Sequence, residues 1–162
     1  MLDMVLQSSA VISDCGQYRY QLGRRWGDGP SCVFIMLNPS TADAEKDDPT
    51  IRRCIGFAKR EGCGGLIVVN LFAFRATQPE VLLSAADPIG PENDAYIADA
   101  LSKESGPIIA AWGAWGDGRR GRIVAARFPG RLQALGATKD GRPRHPLYVR
   151  GDAPLRPFGR LA

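Results

Sequence analysis

The chain has 162 residues, 44% of them hydrophobic and 23% charged, which suits one domain with one core and argues against a disordered or membrane-embedded chain. No apolar run approaches the ~18–20 residues of a membrane span, and the opening residues lack a signal-peptide pattern, so a cytoplasmic protein with no membrane partner is expected. The formal net charge of +4 is unevenly placed: through Asp117 there are 10 Lys+Arg against 15 Asp+Glu, and from Gly118 onward 11 against 2.

In chain order, Val11-Ile12, Asp14-Cys15-Gly16 and Tyr18-Arg19-Tyr20-Gln21-Leu22 read as an antiparallel hairpin. Gly27-Asp28-Gly29-Pro30 breaks it. Cys32-Val33-Phe34-Ile35-Met36-Leu37 is a continuous apolar run, the pattern of a strand covered on both faces. After a polar loop, Asp48 reads as an N-cap and Pro49 as the first helical residue. Ile51, Cys54, Ile55 and Ala58 then mark one helical face. Leu66-Ile67-Val68-Val69 is a second buried strand, ending at Asn70. Pro91-Glu92 opens a helix with Tyr96, Ile97, Ala100 and Leu101 on one side. Pro107-Ile108-Ile109-Ala110-Ala111 is a third strand, ending at Trp112-Gly113. Ile123, Val124 and Phe128 suggest a third helix, and Leu132-Gln133-Ala134-Leu135 a short fourth strand.

Strands alternating with helices predict a single α/β domain of three layers, α/β/α, around a four-stranded, mainly parallel sheet. Residues 1–30 are expected to form an N-terminal hairpin extension, 31–150 the core and 151–162 a C-terminal tail. The four cysteines, Cys15, Cys32, Cys54 and Cys63, show no C-x-x-C pair and read as structural thiols.

Parallel sheets bind ligands beyond the carboxyl ends of their strands. That rule selects Asn38 with Pro39 and Ser40, then Asn70, then Trp112-Gly113, and the segment carrying His145. Asn38-Pro39 is either a turn or a pocket wall. Asn70 interrupts an apolar stretch, and a buried carboxamide either caps a loop or reads a nucleobase edge with its donor and acceptor. His145 is the sole histidine; it is either a surface loop residue or a hydrogen-bond donor to a developing anion. Trp112 and Trp115 either pack or stack on a base. In the basic final third, Arg119, Arg120, Arg142 and Arg144 are the candidates for nucleic-acid phosphates, with a solvated surface as the alternative. Asp43, Glu45, Asp47 and Asp48 form an acidic loop, better read as a solvated loop and helix cap than as a cation site. No metal site and no cofactor is expected.

Four pieces resemble, in order, motifs of the uracil-DNA glycosylase superfamily. They are Leu37-Asn38-Pro39-Ser40 after its strand, the strand ending in Asn70, Ala111-Trp112-Gly113, and Arg144-His145-Pro146-Leu147. The whole chain also resembles a bacterial and phage family, domain of unknown function 1643. Leu37-Asn38-Pro39-Ser40-Thr41-Ala42-Asp43, Asp48-Pro49-Thr50-Ile51-Arg52-Arg53 and Pro143-Arg144-His145-Pro146-Leu147 carry that resemblance. The glycosylase resemblance implies a glycosylase-like core sheet and an N-glycosidic hydrolase acting on a nucleobase, modified bases included, in DNA or a nucleotide. It implies that Asn38 orients water, Asn70 binds the base and His145 stabilises the departing base. The sequence departs from that pattern: no aromatic follows Asn38 closely, and Pro146 is followed by Leu147-Tyr148. Two alternatives stand beside it: a non-catalytic nucleotide or nucleic-acid binding module, and a metal-dependent phosphoesterase using Asp43, Asp47 and Asp48.

Overall fold

The structure is a computed structural model that describes residues 5–159. The outer ends of the expected hairpin extension and tail, residues 1–4 and 160–162, lie outside the described residues. One sheet contains β1 (Gln7–Ile12), β2 (Arg19–Arg25), β3 (Ser31–Met36), β4 (Gly65–Asn70), β5 (Ile108–Ala110), β6 (Gln133–Ala134) and β7 (Arg156–Pro157). Its order is β1-β2-β4-β3-β5-β6-β7.

This corrects the expected four-stranded, mainly parallel, glycosylase-like sheet. Among the described residues the sheet has seven strands and is mixed, with antiparallel β1–β2, β2–β4 and β6–β7 pairs beside parallel β3–β4, β3–β5 and β5–β6 pairs. The physical reason is edge satisfaction. An open edge of β4 or β6 leaves a row of unpaired N–H and C=O groups. The hairpin covers the β4 edge, with Leu22 opposite Val68 and Arg24 opposite Leu66. The two-residue β7 covers the β6 edge.

Among the described residues, three α-helices flank the sheet: α1 (Pro49–Arg60), α2 (Asn93–Lys103) and α3 (Arg119–Arg127). Alternation along β3 sends Cys32, Phe34 and Met36 into the cluster with Ile51, Cys54, Ile55 and Ala58 of α1. Val33 and Ile35 enter the cluster with Ile97, Leu101 and Val124 of α2 and α3. All six β3 residues are buried, which is why the strand is unbroken apolar sequence from Cys32 to Met36. Helix α1 starts as its sequence dictates: Asp48 Oδ1 accepts from the Ile51 N–H at 2.8 Å and Pro49 occupies the first turn.

Cys32, Cys54 and Cys63 are buried free thiols, and burial pushes the Cys54 thiol far above its ordinary range, leaving it unreactive. Among the described residues, no helix is long and apolar enough to cross a membrane.

Candidate active site

Beyond the carboxyl ends of β3, β4 and β5 lies a cleft of about 720 Å3, within the usual range for small-molecule sites. Asn38, Pro39, Ser40, Asn70, Trp112, Gly113, Arg144 and His145 all line it. Strand register brings the two asparagines together. Met36 pairs with Asn70 across β3 and β4, so Asn38 leaves the sheet beside Asn70.

Asn38 is held at one end only. Its Nδ2 donates to Ala76 O at 2.8 Å and to Pro39 O at 3.0 Å, and the Ala76 N–H donates back to Pro39 O. Both donors are therefore committed, and Oδ1 is left as the available acceptor. Asn70 is the reverse case. It is 1% exposed, and neither Nδ2 nor Oδ1 has a partner among the described residues. Its backbone oxygen is pinned by the buried Asn93, whose Nδ2 donates to Asn70 O at 2.8 Å and Leu71 O at 3.1 Å. An unpaired buried carboxamide costs about 1–3 kcal/mol per polar group.

His145 caps a short 3-10 turn, Pro146–Tyr148, by accepting the Leu147 N–H at Nδ1, 3.1 Å away. That bond requires an unprotonated Nδ1, so neutral His145 carries its proton on Nε2. Burial lowers the His145 pKa from its ordinary value; the Asp48 charge opposes this more weakly. The deprotonated form is thus the native one. Its contribution to stability is complete above about pH 6.5 and is lost as pH falls through the lower folded pKa. Urea midpoints should therefore drop between pH 7 and pH 5 by more in the wild type than in His145→Ala.

The loop bearing His145 is tied to the rest of the fold. The Gly113 N–H donates to Pro143 O at 2.9 Å. From α1, Arg53 donates Nε to Pro146 O at 3.1 Å and Nη2 to Val149 O. Gly113 has φ +79°, and an added Cβ would lie 3.6 Å from His145 Cβ, an ordinary contact. The cost of Gly113→Ala is therefore backbone strain, about 1–2 kcal/mol, measurable as a lower denaturation midpoint.

Trp112 is buried, its ring edge-on to Phe158 at 5.6 Å. A Cβ on Gly121 would come within 2.5 Å of its Nε1, so only glycine lets α3 close on the indole. The indole separates the cleft from a second cavity of about 710 Å3 beside α3. Trp115 and the exposed Tyr148 line the cleft itself, with the Tyr148 ring 5.5 Å from His145.

Of the four arginines assigned to phosphates, Arg144 alone is among the residues that line the cleft. Arg120 is ion-paired with Asp94 at 2.6 Å and donates to Leu71 O. Arg142 clasps Ala114 O and Gly116 O, each at 2.9 Å, and lines the second cavity. Arg119 is exposed at the start of α3 and is not among the cleft-lining residues. Arg144 is exposed at the cleft, and no hydrogen bond to its side chain is found among the described residues. The three acids of the phosphoesterase alternative have separate tasks: Asp43 accepts from two backbone N–H groups, Asp47 pairs with Arg24 and Asp48 caps α1.

Sequence reasoning missed Arg19 as a cleft residue and weighed Asp48 only as a helix cap or a metal-site acid. Asp48 is the one carboxylate among the cleft's lining residues, and its charge acts on both His145 and Arg19. Arg19, read as part of a hairpin arm, is 2% exposed and also lines the cleft. An arginine within an otherwise strand-like run was the available signal.

A family model described as a protein of unknown function, DUF1643, matches residues 19–147. The chain belongs to the DUF1643 family. The matched span includes every cleft residue named above except Tyr148. Among curated proteins none matches. A solved structure, a Vigna radiata epoxide hydrolase mutant, is similar at 14% identity with a TM-score of 0.38. That match covers 82% of this chain and 38% of the other, so the chain spans well under half the length of that protein. These comparisons lend the glycosylase resemblance no support.

Proposed function

We propose that the cleft is the active site of an N-glycosidic hydrolase acting on a nucleobase, in DNA or in a nucleotide. The observation that carries this reading is Asn70, a cleft-lining residue whose buried carboxamide has a donor and an acceptor without partners among the described residues. A planar ligand edge offering the complementary acceptor and donor satisfies both at once, as a nucleobase does.

The remaining residues fit the demands of the reaction. Glycosidic cleavage passes through an oxocarbenium-like state, with positive charge on the sugar and negative charge on the departing base. Water attacks the anomeric carbon, the carbon–nitrogen bond breaks, and its electron pair leaves with the base. Asn38 Oδ1 accepts a hydrogen bond from that water and orients it. The Asp48 carboxylate, with Oδ1 on the Ile51 N–H, has Oδ2 to take the water proton and favours the cationic sugar. His145 donates from Nε2 to the anionic base.

The test is release of free base from oligonucleotides and nucleotides carrying uracil and a panel of modified bases. Release that falls sharply in Asn38→Ala and His145→Ala, with folding intact, is the expected result. No release from any substrate by the folded protein contradicts the reading; saturable binding without release places the protein with the non-catalytic nucleotide binders.

A further inference from the structure

The least satisfied buried charge among the described residues is Arg19. Its guanidinium is buried, yet its single hydrogen bond runs from Nη1 to Ala42 O at 2.9 Å. Its Nε is buried without a partner, and no carboxylate lies in ion-pair range among the described residues. Burial lowers its pKa to about 10, so it remains a cation at neutral pH. Buried charges are ordinarily paired, because desolvation without a counter-charge costs several kcal/mol. The nearby charges do not pair it. Asp48 and Asp43 attract it from beyond contact, Arg75 and Arg24 repel it, and Arg24 is itself occupied by Asp47. Arg19 lines the same cleft as Asn70, together with the hydroxyls of Ser40, Thr41 and Thr77. No hydrogen bond to those hydroxyls is found among the described residues.

We propose that Arg19 is the anchor of an anionic subsite in this cleft, and that the ligand is a nucleotide whose phosphate pairs with the guanidinium. The inference rests on the reading of the cleft as a nucleobase site and adds the second half of the ligand. Arginine suits the task, since its planar fork offers two parallel N–H donors to a phosphate. Hydroxyls are complementary donors to the remaining oxygens. Asp48 opposes the anion, and Arg144 at the cleft favours it. The phosphate belongs either to a free nucleotide or to a strand.

Calorimetric titration separates these possibilities, using inorganic phosphate, deoxyuridine, deoxyuridine 5′-monophosphate and a pentanucleotide with one central deoxyuridine. The monophosphate should bind at least about 10-fold more tightly than the nucleoside, the scale of one charge-assisted contact. Inorganic phosphate should compete with it. Arg19→Gln should remove that advantage and leave nucleoside binding unchanged, with Arg19→Lys intermediate. Should the Arg19 variants fail to fold, the Nε–H resonance of Arg19 in the wild type should shift saturably on phosphate addition. A pentanucleotide that binds more tightly than the monophosphate assigns the phosphate to a strand; the reverse assigns it to a free nucleotide. Equal binding of nucleoside and monophosphate, with the Arg19 resonance unmoved, overturns the subsite and leaves the nucleobase reading standing. A phosphate response at Arg19 without any nucleoside binding does the opposite. No response to any probe overturns both.

Discussion

Asn70→Leu is expected to stabilise the ligand-free protein and to abolish its ligand recognition. Leucine matches the shape of asparagine closely and brings no polar atoms. Nδ2 and Oδ1 of Asn70 are buried and have no partner among the described residues. Removing both should raise unfolding stability by about 1–3 kcal/mol, since the desolvation cost of unmet groups disappears. The same change would remove both hydrogen bonds proposed to a base edge, and sites built for such bonds discriminate steeply. Base binding or release should fall by about 100-fold or more, the equivalent of ~2.7 kcal/mol at 1.36 kcal/mol per tenfold. Urea denaturation and base release measured on the same preparations check both halves. A purely structural asparagine gives the opposite pair: lower stability on substitution and unchanged ligand affinity.

Arg24→Met should cause the largest loss of stability among the substitutions considered. Arg24 is 4% exposed and makes four hydrogen bonds: Nε to Asp47 Oδ1 at 2.9 Å, Nη1 to Gly23 O, and Nη2 to Asp43 O and Lys46 O. It thereby ties β2 to the acidic loop that leads into Asp48 and α1. Methionine fills much of the volume but leaves the carboxylate and the loop carbonyls without their donor. Breaking a buried ion pair from one side costs about 3–5 kcal/mol; because Asp47 is 30% exposed, about 2–4 kcal/mol is the expected loss here. For a chain of this length that is roughly 4–16 °C in Tm. Asp47→Ala should cost about 1 kcal/mol, since the guanidinium keeps its three carbonyl acceptors and the lost pair is partly solvated. Equal effects of the two substitutions would show that the ion pair, and not the carbonyl clasp, holds the loop.

Local chemistry made the central part of the fold legible. Asp48 and Pro49 start α1 where a cap and a first-turn proline should, and Ile51, Cys54, Ile55 and Ala58 face the core. The apolar run of β3 and the position of Asn70 at the end of β4 were equally readable. The sheet as a whole was not. β2 is buried along most of its length, yet its alternating sequence suggested a separate hairpin, because its partner β4 lies more than 40 residues away. β7 is an Arg-Pro pair too short to carry a pattern. Phe128 reads as helical by spacing but lies at the C-cap of α3, after the helix has ended.

The site divides along the same line. Asn38, Asn70 and His145 follow strand ends or turns, where position alone suggests a ligand. Arg19 reaches the cleft only because β2 joins β4 and its backbone N–H donates to Ala73 O at 3.0 Å. Charge composition misled for the arginines after Gly118. Arg120 and Arg142 look available in a basic segment, but the fold uses one on Asp94 and Leu71 and the other on the 114–116 loop. Spatial pairing of that kind leaves no signature in a linear charge count.

The side-chain amide of Asn70 is the most direct witness to the central claim. In a nitrogen-15-labelled protein, its Nδ2 resonances should shift saturably as uracil or deoxyuridine is added, and the His145 Nε2–H resonance should respond at the same midpoint. Asn70 and His145 resonances that stay fixed through every nucleobase and nucleoside tested, while the protein remains folded, would contradict it.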